Sequence, residues 1–253
     1  MRIEGSSALV TGAGSGLGEA TARRLAELGA IVHVFDRNAD AAFAVAQSIG
    51  GVALPGDVTD ENDAQRALDI AAKASDGLRI LVNCAGIGTA ARMLGREGPM
   101  PLAEFERVIR INLVGTFNMM RLAAERMTMA AERDNQGRGV IVNTASVAAF
   151  EGQIGQAAYS ASKGGIVSMA LPAARELARF GIRVNTIAPG IFLTPLLAAL
   201  PTEVQESLSS AIPYPPRLGA PAEFADAVRF VIENPYLNGE VIRLDGAIRM
   251  QPR

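Results

Sequence analysis

The sequence predicts a single α/β domain built on a doubly wound parallel sheet, and three observations lead there. Seven short apolar runs rich in Val, Ile and Leu alternate with longer stretches of helical periodicity from one end of the chain to the other. The first of these runs passes directly into a glycine-rich turn, Gly12-Ala13-Gly14-Ser15-Gly16-Leu17-Gly18, and then into a helical pattern. No Gly/Ser/Pro-rich linker divides the 253 residues, so one domain spanning 1–253 is expected.

The first strand falls at 7–10 and its helix runs to residue 28. Between them, Gly12, Gly16 and Gly18 let the backbone turn sharply and approach a pyrophosphate, whose charge the free N–H groups of the helix start favour. The spacing is T-G-x-x-x-G-x-G rather than G-x-G-x-x-G, and no Gly-Lys-Ser/Thr follows, which excludes a P-loop. A second strand at 30–35 ends at Asp36, eighteen residues after Gly18. A carboxylate there accepts hydrogen bonds from a ribose 2′-hydroxyl and repels a 2′-phosphate, which favours NAD over NADP. The adjacent Arg37 is a cation that works in the opposite sense.

A helix at 40–49 leads to a strand at 51–54 and to Asp57-Val58. Asp57 either caps the helix that begins near Thr59 or Asp60 or contacts an adenine edge. After a helix at 61–74, the strand at 80–82 runs into Asn83-Cys84-Ala85-Gly86, small residues suited to the place where a sheet meets a flat cofactor. Residues 90–101 read as an irregular loop. The helix from Leu102 carries Ile109, Ile111, Leu113 and Val114 with Asn112 among them. That Asn either faces solvent or makes a definite hydrogen bond, because burying it unpaired costs about 1–3 kcal/mol.

A long helix to about 131 and a charged loop at 132–139 precede the strand at 140–145, which ends at Ser146. Helix 159–180 feeds strand 183–187 and Ala188-Pro189-Gly190. The apolar, proline-containing stretch 191–217 reads as a lid or substrate wall, with Phe192, Leu193, Leu196 and Leu197 on one side facing Gln153 and Gln156 on the other. Helix 221–233 and strand 240–244 close the sheet. The apolar stretch 241–250 then needs a cover, which a homotetramer would supply.

Composition narrows the chemistry. A net charge of −2 with scattered charges gives no footprint for nucleic acid, and no apolar run approaches the ~18 residues a membrane span needs. A small-molecule partner and a cytoplasmic location are expected. Cys84 and His33 are the only residues of their kinds. Together they provide no metal cluster and no Ser-His or Cys-His nucleophile, so proton chemistry has to come from Tyr, Lys, Asp, Glu or Ser. Tyr159 and Lys163, four residues apart in a helical segment, share a face. A phenol titrates near pH ~10 in water, and lowering that to ~7 asks for roughly 4 kcal/mol of phenolate stabilisation, to which a fixed cation contributes. The alternative is an exposed helical pair with no role. Ser146 sits at the C-terminal mouth of a strand, where its hydroxyl can meet a substrate oxygen.

Taken in order, Thr11-Gly12-x-x-x-Gly16-x-Gly18, Asp57, Asn83-Cys84-Ala85-Gly86, Asn112, Ser146, Tyr159-x-x-x-Lys163 and Pro189-Gly190 resemble the short-chain dehydrogenases/reductases, a Rossmann-type family. The resemblance implies that Tyr159 is the acid/base, that Lys163 lowers its pKa and holds the nicotinamide ribose, that Ser146 polarises the substrate oxygen, and that Asn112 organises a proton-relay water. It also places Ser15, Leu17, Asp36, Asp57, Val58, Ala85 and Thr194 around NAD, beside Cys84, Gly86 and Pro189. The runs N-T-A-S-V-A-A-F-E-G-Q-I-G-Q-A-A-Y-S-A-S-K, T-I-A-P-G-I-F-L-T-P-L-L and E-N-P-Y-L-N-G-E-V-I-R-L-D-G-A-I-R-M are similar to the type 2 3-hydroxyacyl-CoA dehydrogenases, also called 17β-hydroxysteroid dehydrogenase type 10. That likeness implies NAD-dependent oxidation of short-chain, methyl-branched or unbranched 3-hydroxyacyl-CoA, with Gln153, Gln156 and Phe192 near substrate or cofactor. For such a substrate Leu196 belongs to the apolar wall, and Arg92 and Arg96 in the irregular loop are the candidate cations for the CoA phosphates. A hydroxysteroid or alcohol dehydrogenase and a 3-oxoacyl carrier-protein reductase share the chemistry. A catalytically silent NAD sensor or scaffold is the reading outside enzymology, and it would be expected to have lost Tyr159 or Lys163.

Overall fold

The computed structural model describes residues 1–252 apart from 89, 134, 135 and 200, and only the backbone of residue 196. Strands β1 (Ser7–Thr11), β2 (Ile31–Asp36), β3 (Val52–Pro55) and β4 (Leu78–Asn83) alternate with helices α1 (Gly16–Glu27), α2 (Ala39–Ile49) and α3 (Glu61–Ala72). A small hairpin of β5 (Leu94–Gly95) and β6 (Gly98–Pro99) follows. Helices α4 (Leu102–Ile109) and α5 (Gly115–Thr128) are then joined by a π-helical turn at Arg110–Val114. The second half runs through β7 (Gly139–Thr144), α6 (Ala157–Ala178), β8 (Ile182–Pro189), the short helices α7 (Pro195–Ala198) and α8 (Thr202–Ser210), α9 (Pro221–Glu233) and β9 (Val241–Leu244).

Seven strands form one parallel sheet in the order β3-β2-β1-β4-β7-β8-β9. The four strands β1, β4, β7 and β8 are buried along their whole length, as a sheet covered on both faces requires. Alternation along each strand sends Ala8, Val10, Val82 and Val142 toward one core, shared with Leu25 of α1 and Val228 of α9. Leu9, Leu81, Ile141 and Val184 face the other, with Leu68 of α3 and Met119 and Met127 of α5. The chain reverses its direction of travel between β1 and β4, and ligands bind outside the strand ends at such a switch point. Register levels those ends, since Thr11 pairs with Asn83 and Asn83 with Asn143. The segments after β1, β4 and β7 therefore leave the sheet side by side.

Four expectations need correction. The loop at 90–101 contains the β5–β6 hairpin. The stretch 191–217 holds two short helices, and Phe192, Ile212 and Leu218 on and beside it are buried, so part of it belongs to the core. Ile248 of the C-terminal stretch is buried against Ile212 and Leu218, so the chain covers that residue by itself. Strand β4 also begins earlier than its apolar run suggested, because it includes Arg79, whose side chain is fully buried. The guanidinium donates to the carbonyls of Ala131 and Arg138 at 2.7 and 3.1 Å and to the Asp76 carboxylate at 2.6 Å. A buried Arg is tolerated because those acceptors replace its hydration. Arg79→Met keeps the volume but strands the carbonyls, and should lower stability in urea by about 3 kcal/mol with little change in the m-value. A midpoint equal to the parent's would contradict this account of the strand.

Candidate active site

The glycine loop has the shape its residue types allow. Gly12 has φ +62, and a Cβ there would lie 2.7 Å from the Ala85 Cα, so the loop after β1 packs directly on the backbone after β4. A Cβ on Gly18 would overlap the Gly12 carbonyl. The Thr11 hydroxyl accepts from the N–H groups of Cys84 and Ala85 at 3.2 Å each, fixing the two strand ends together. At the end of β2, Asp36 accepts from Gly14 N at 2.8 Å and Asn38 N at 2.9 Å. The carboxylate thus ties the glycine loop in place while still facing the cleft. Asp57 accepts from Thr59 N at 2.8 Å and also lines the cleft; the cap of α3 is Asp60, which accepts from Asp63 N at 2.9 Å. The capping alternative for Asp57 therefore falls to its neighbour.

The cleft holds about 610 Å³ and runs from this loop to Ser146, Tyr159 and Lys163. Ser146 leaves β7 as the N-cap of a single 3₁₀ turn, its hydroxyl accepting from Ala148 N at 3.1 Å. Tyr159 lies in the first turn of α6 and Lys163 one turn further on, both toward the cleft. The Lys163 ammonium is 5.8 Å from the Tyr159 ring centroid and donates to the Thr144 carbonyl at 2.8 Å. Asn112 is fully buried in the π-helical turn, which settles its alternatives in favour of a definite hydrogen-bond set. Its Oδ1 accepts from Ile87 N at 2.8 Å, and its Nδ2 donates to Ile87 O and to Ser162 Oγ at 2.9 and 3.0 Å. The Ser162 hydroxyl in turn donates to the Tyr159 carbonyl at 2.7 Å. Asn112 therefore positions the segment after β4 against the first turn of α6. Both ends of its side-chain amide are engaged by protein groups.

A family model described as short chain dehydrogenase matches residues 6–205. The chain belongs to the short-chain dehydrogenase family. It is 54% identical over 254 residues to a human protein named 3-hydroxyacyl-CoA dehydrogenase type-2, covering 99% of this chain and 97% of that one. The Drosophila melanogaster protein of the same name is 52% identical, covering 99% of this chain and all of its own. A crystal structure of 3-hydroxyacyl-CoA dehydrogenase type-2 from Mycobacterium avium superposes with a TM-score of 0.95 at 43% identity, covering 98% of both chains.

As a short-chain dehydrogenase the protein works with a nicotinamide cofactor, and the cleft suits one. Gly12 and Gly18 let the turn close on the protein's own backbone, and Asp36 lines the cleft beside that turn at the end of β2. Ser15, Gly16, Leu17, Val58, Cys84, Ala85, Gly86, Pro189, Phe192 and Thr194 also line the cleft. Phe192 does so only at its margin, since its ring is buried edge-on to Phe224 at 6.3 Å between centroids. Of the substrate-side residues, Gln156 lines the cleft, whereas Gln153 lines a second cavity beside it and donates to Gln251 O at 3.0 Å. The Leu196 side chain lies outside the described residues, and Leu197 faces the cleft. Arg92 borders the second cavity and Arg96 is exposed in the hairpin turn. Sequence reasoning missed Ile87, Thr144 and Met250. Ile87 could have been found as the residue after Asn83-Cys84-Ala85-Gly86. Nothing local marked Met250.

Burial dominates the titration of this site. It pushes the Tyr159 phenol above its ordinary value, with a hydrogen bond to Ser146 pulling it back. The lowering expected from the Tyr159/Lys163 spacing works against this desolvation of the phenolate. Burial raises the Cys84 thiol to about 11, which makes it a packing group at neutral pH. It lowers Lys163 from 10.5 to about 8. A cation with a lowered native pKa disfavours the fold while it is charged, and stability recovers as the pH rises from about 8 through the unfolded value. Lys163→Met should therefore be more stable than the parent at pH 7, by up to ~3 kcal/mol. The gap should close between about pH 8 and 10.5. Urea melts of both proteins across that range are the check, and a gap that widens with pH would contradict it.

Proposed function

We propose that this protein is an NAD-dependent 3-hydroxyacyl-CoA dehydrogenase that oxidises the 3-hydroxyl of short-chain, unbranched or methyl-branched substrates to the 3-oxo product. The observation that carries the chemistry is the facing pair of Ser146 and Tyr159 hydroxyl groups at the end of the cleft, with the Lys163 cation buried behind them. The substrate class rests on the names of relatives that match end to end at above half identity. Bound in the cleft, NAD would supply the acceptor for the hydride on C3. The Ser146 hydroxyl donates to the substrate oxygen and fixes its direction. Tyr159, as phenolate, removes the hydroxyl proton, aided by the Lys163 charge and by the positive end of α6. Lys163 stays anchored to the Thr144 carbonyl, so its charge is held at a constant distance through the step.

NAD rather than NADP follows from Asp36, whose two backbone hydrogen bonds keep its charge fixed beside the expected ribose. Arg37 is exposed and lines the same cleft, but no contact among the described residues aims it inward. The carrier-protein reductase reading, usually linked to NADP, is disfavoured for that reason. We also place the enzyme in the cytoplasm as a homotetramer. Since Ile248 is already covered within the chain, support for assembly comes from exposed apolar side chains such as Phe117 of α5 and Leu171 of α6.

Two outcomes test the assignment. (3S)-Hydroxybutyryl-CoA or a methyl-branched analogue should exceed any hydroxysteroid or free hydroxy acid in kcat/KM by at least ~10-fold, about 1.4 kcal/mol in transition-state binding; a hydroxysteroid ranking first would overturn the substrate class. Asp36→Ala should erode the preference for NAD by at least ~10-fold, and a parent enzyme that uses both cofactors equally would put Arg37 in control.

A further inference from the structure

The cleft has one wall that comes from the far end of the chain. After β9, Gly246 and Ala247 both take left-handed backbone angles, φ +57 and +66, and Asp245 Oδ1 accepts from Ala247 N at 3.0 Å. The chain reverses at this turn. Ile248 is then buried against Ile212 and Leu218, and Met250 reaches the cleft that also contains Ser146, Gln156 and Tyr159. The tail is held to the stretch between Ser146 and Tyr159 by three hydrogen bonds: Met250 N to Glu151 Oε2 at 3.1 Å, Gln153 Nε2 to Gln251 O at 3.0 Å, and Ile154 N to Pro252 O at 3.0 Å.

Glu151 is the centre of this attachment. Its carboxylate pairs with Arg243 of β9 at 2.8 Å and with Arg249 at 3.3 Å, and both cations also reach Asp245, at 2.7 and 3.2 Å. The Arg243 guanidinium lies 5.3 Å from the Phe150 ring centroid. Glu151 and Asp245 side chains are only 22% and 9% exposed, so this is a partly buried network and not an isolated surface pair. Neighbouring Arg groups hold the Glu151 carboxyl below its ordinary pKa. A thioether backed by such a network presents an adaptable apolar surface at a fixed place.

We propose that Met250 is a specificity-determining wall of the substrate site and that Glu151 is the positioning residue that latches it there. The segment that holds the Met250 tail, Glu151 to Ile154, lies in the chain between Ser146 and Tyr159, so Met250 is assigned to the substrate and not to the cofactor. The identity of the substrates it sorts rests on the 3-hydroxyacyl-CoA reading above; its role as a wall does not. A side chain at this place limits how much apolar substrate the cleft accepts, and one or two methylenes more or less in such a wall change relative rates by roughly 10–200-fold at most.

The test compares chain-length profiles. Wild type, M250A, M250F, E151Q and the double variant E151Q/M250A are assayed with four-, six- and eight-carbon 3-hydroxyacyl-CoAs and, in parallel, with a series of 2-alkanols. M250A should raise the eight-to-four-carbon ratio of kcat/KM by about 5-fold or more through KM, M250F should lower it, and KM for NAD should stay within ~2-fold in both. E151Q should move the ratio in the direction of M250A, and the double variant should show less than the sum of the two effects. Profiles unmoved by both Met250 variants would overturn the wall, and full additivity would overturn the latch. M250F removes no backbone contact, so it keeps the test sound if E151Q destabilises the tail. A wild type that oxidises only the alkanols would sink the acyl-CoA reading, and the alkanol profiles would then decide the wall on their own.

Discussion

One hydrogen bond organises this site, the 2.8 Å contact from the buried Lys163 ammonium to the Thr144 carbonyl. It joins the end of β7 to the first turns of α6, and those two elements carry Ser146 and Tyr159. Taking an ammonium out of water disfavours its charged form, and the lowered titration point near 8 records that cost. A fold that keeps such a group holds a functional site at some expense of stability. The Asn112 network braces the same helix from its other neighbour, through Ser162 and the backbone of Ile87. Tyr159 is thus located by its helix, by the strand beneath and by the segment after β4.

The sheet supplies the rest by topology. Parallel strands of matched register deliver a glycine loop, a run of small residues and Ser146 to one edge, on either side of the point where the strand order reverses. The end of the cleft beside the glycine loop is therefore built from backbone and from residues close to strand ends. The rest of its wall draws on remote segments: the stretch after β8, the region between Ser146 and Tyr159, and the C-terminal tail. That division accounts for how members of one family share a hydride step and differ in what they oxidise.

It also explains what could be read from the sequence. The strands, the glycine loop, Asp36, Ser146 and the Tyr159/Lys163 pair are encoded by short-range patterns of apolar period, glycine spacing and helical separation, and the structure brings all of them to one cleft. Asn112 was legible as a residue needing a definite partner, though not which one. The partner of Gln153 was not legible, because its amide donates to the carbonyl of Gln251, nearly a hundred residues away. Phe192 turns inward because Phe224 offers an edge-on contact. The start of β4 was hidden because a buried Arg79 depends on carbonyls from two other segments. Each of these depends on long-range contacts that no window of sequence contains. The upward shift of Tyr159 belongs with them, since desolvation is a property of the packed site and not of helical spacing.

The central claim is that a hydride leaves the carbon bearing the substrate hydroxyl while Tyr159 takes the proton from its oxygen. Single-turnover oxidation of 3-hydroxybutyryl-CoA carrying deuterium at C3, with the reduced cofactor analysed by mass spectrometry, tests it most directly. The account predicts one deuterium transferred to NAD by the parent enzyme. For Tyr159→Phe it predicts a transfer rate lower by at least ~10²-fold, with NAD binding retained. Deuterium lost to solvent, or transfer at the parent rate by the Phe variant, would contradict it.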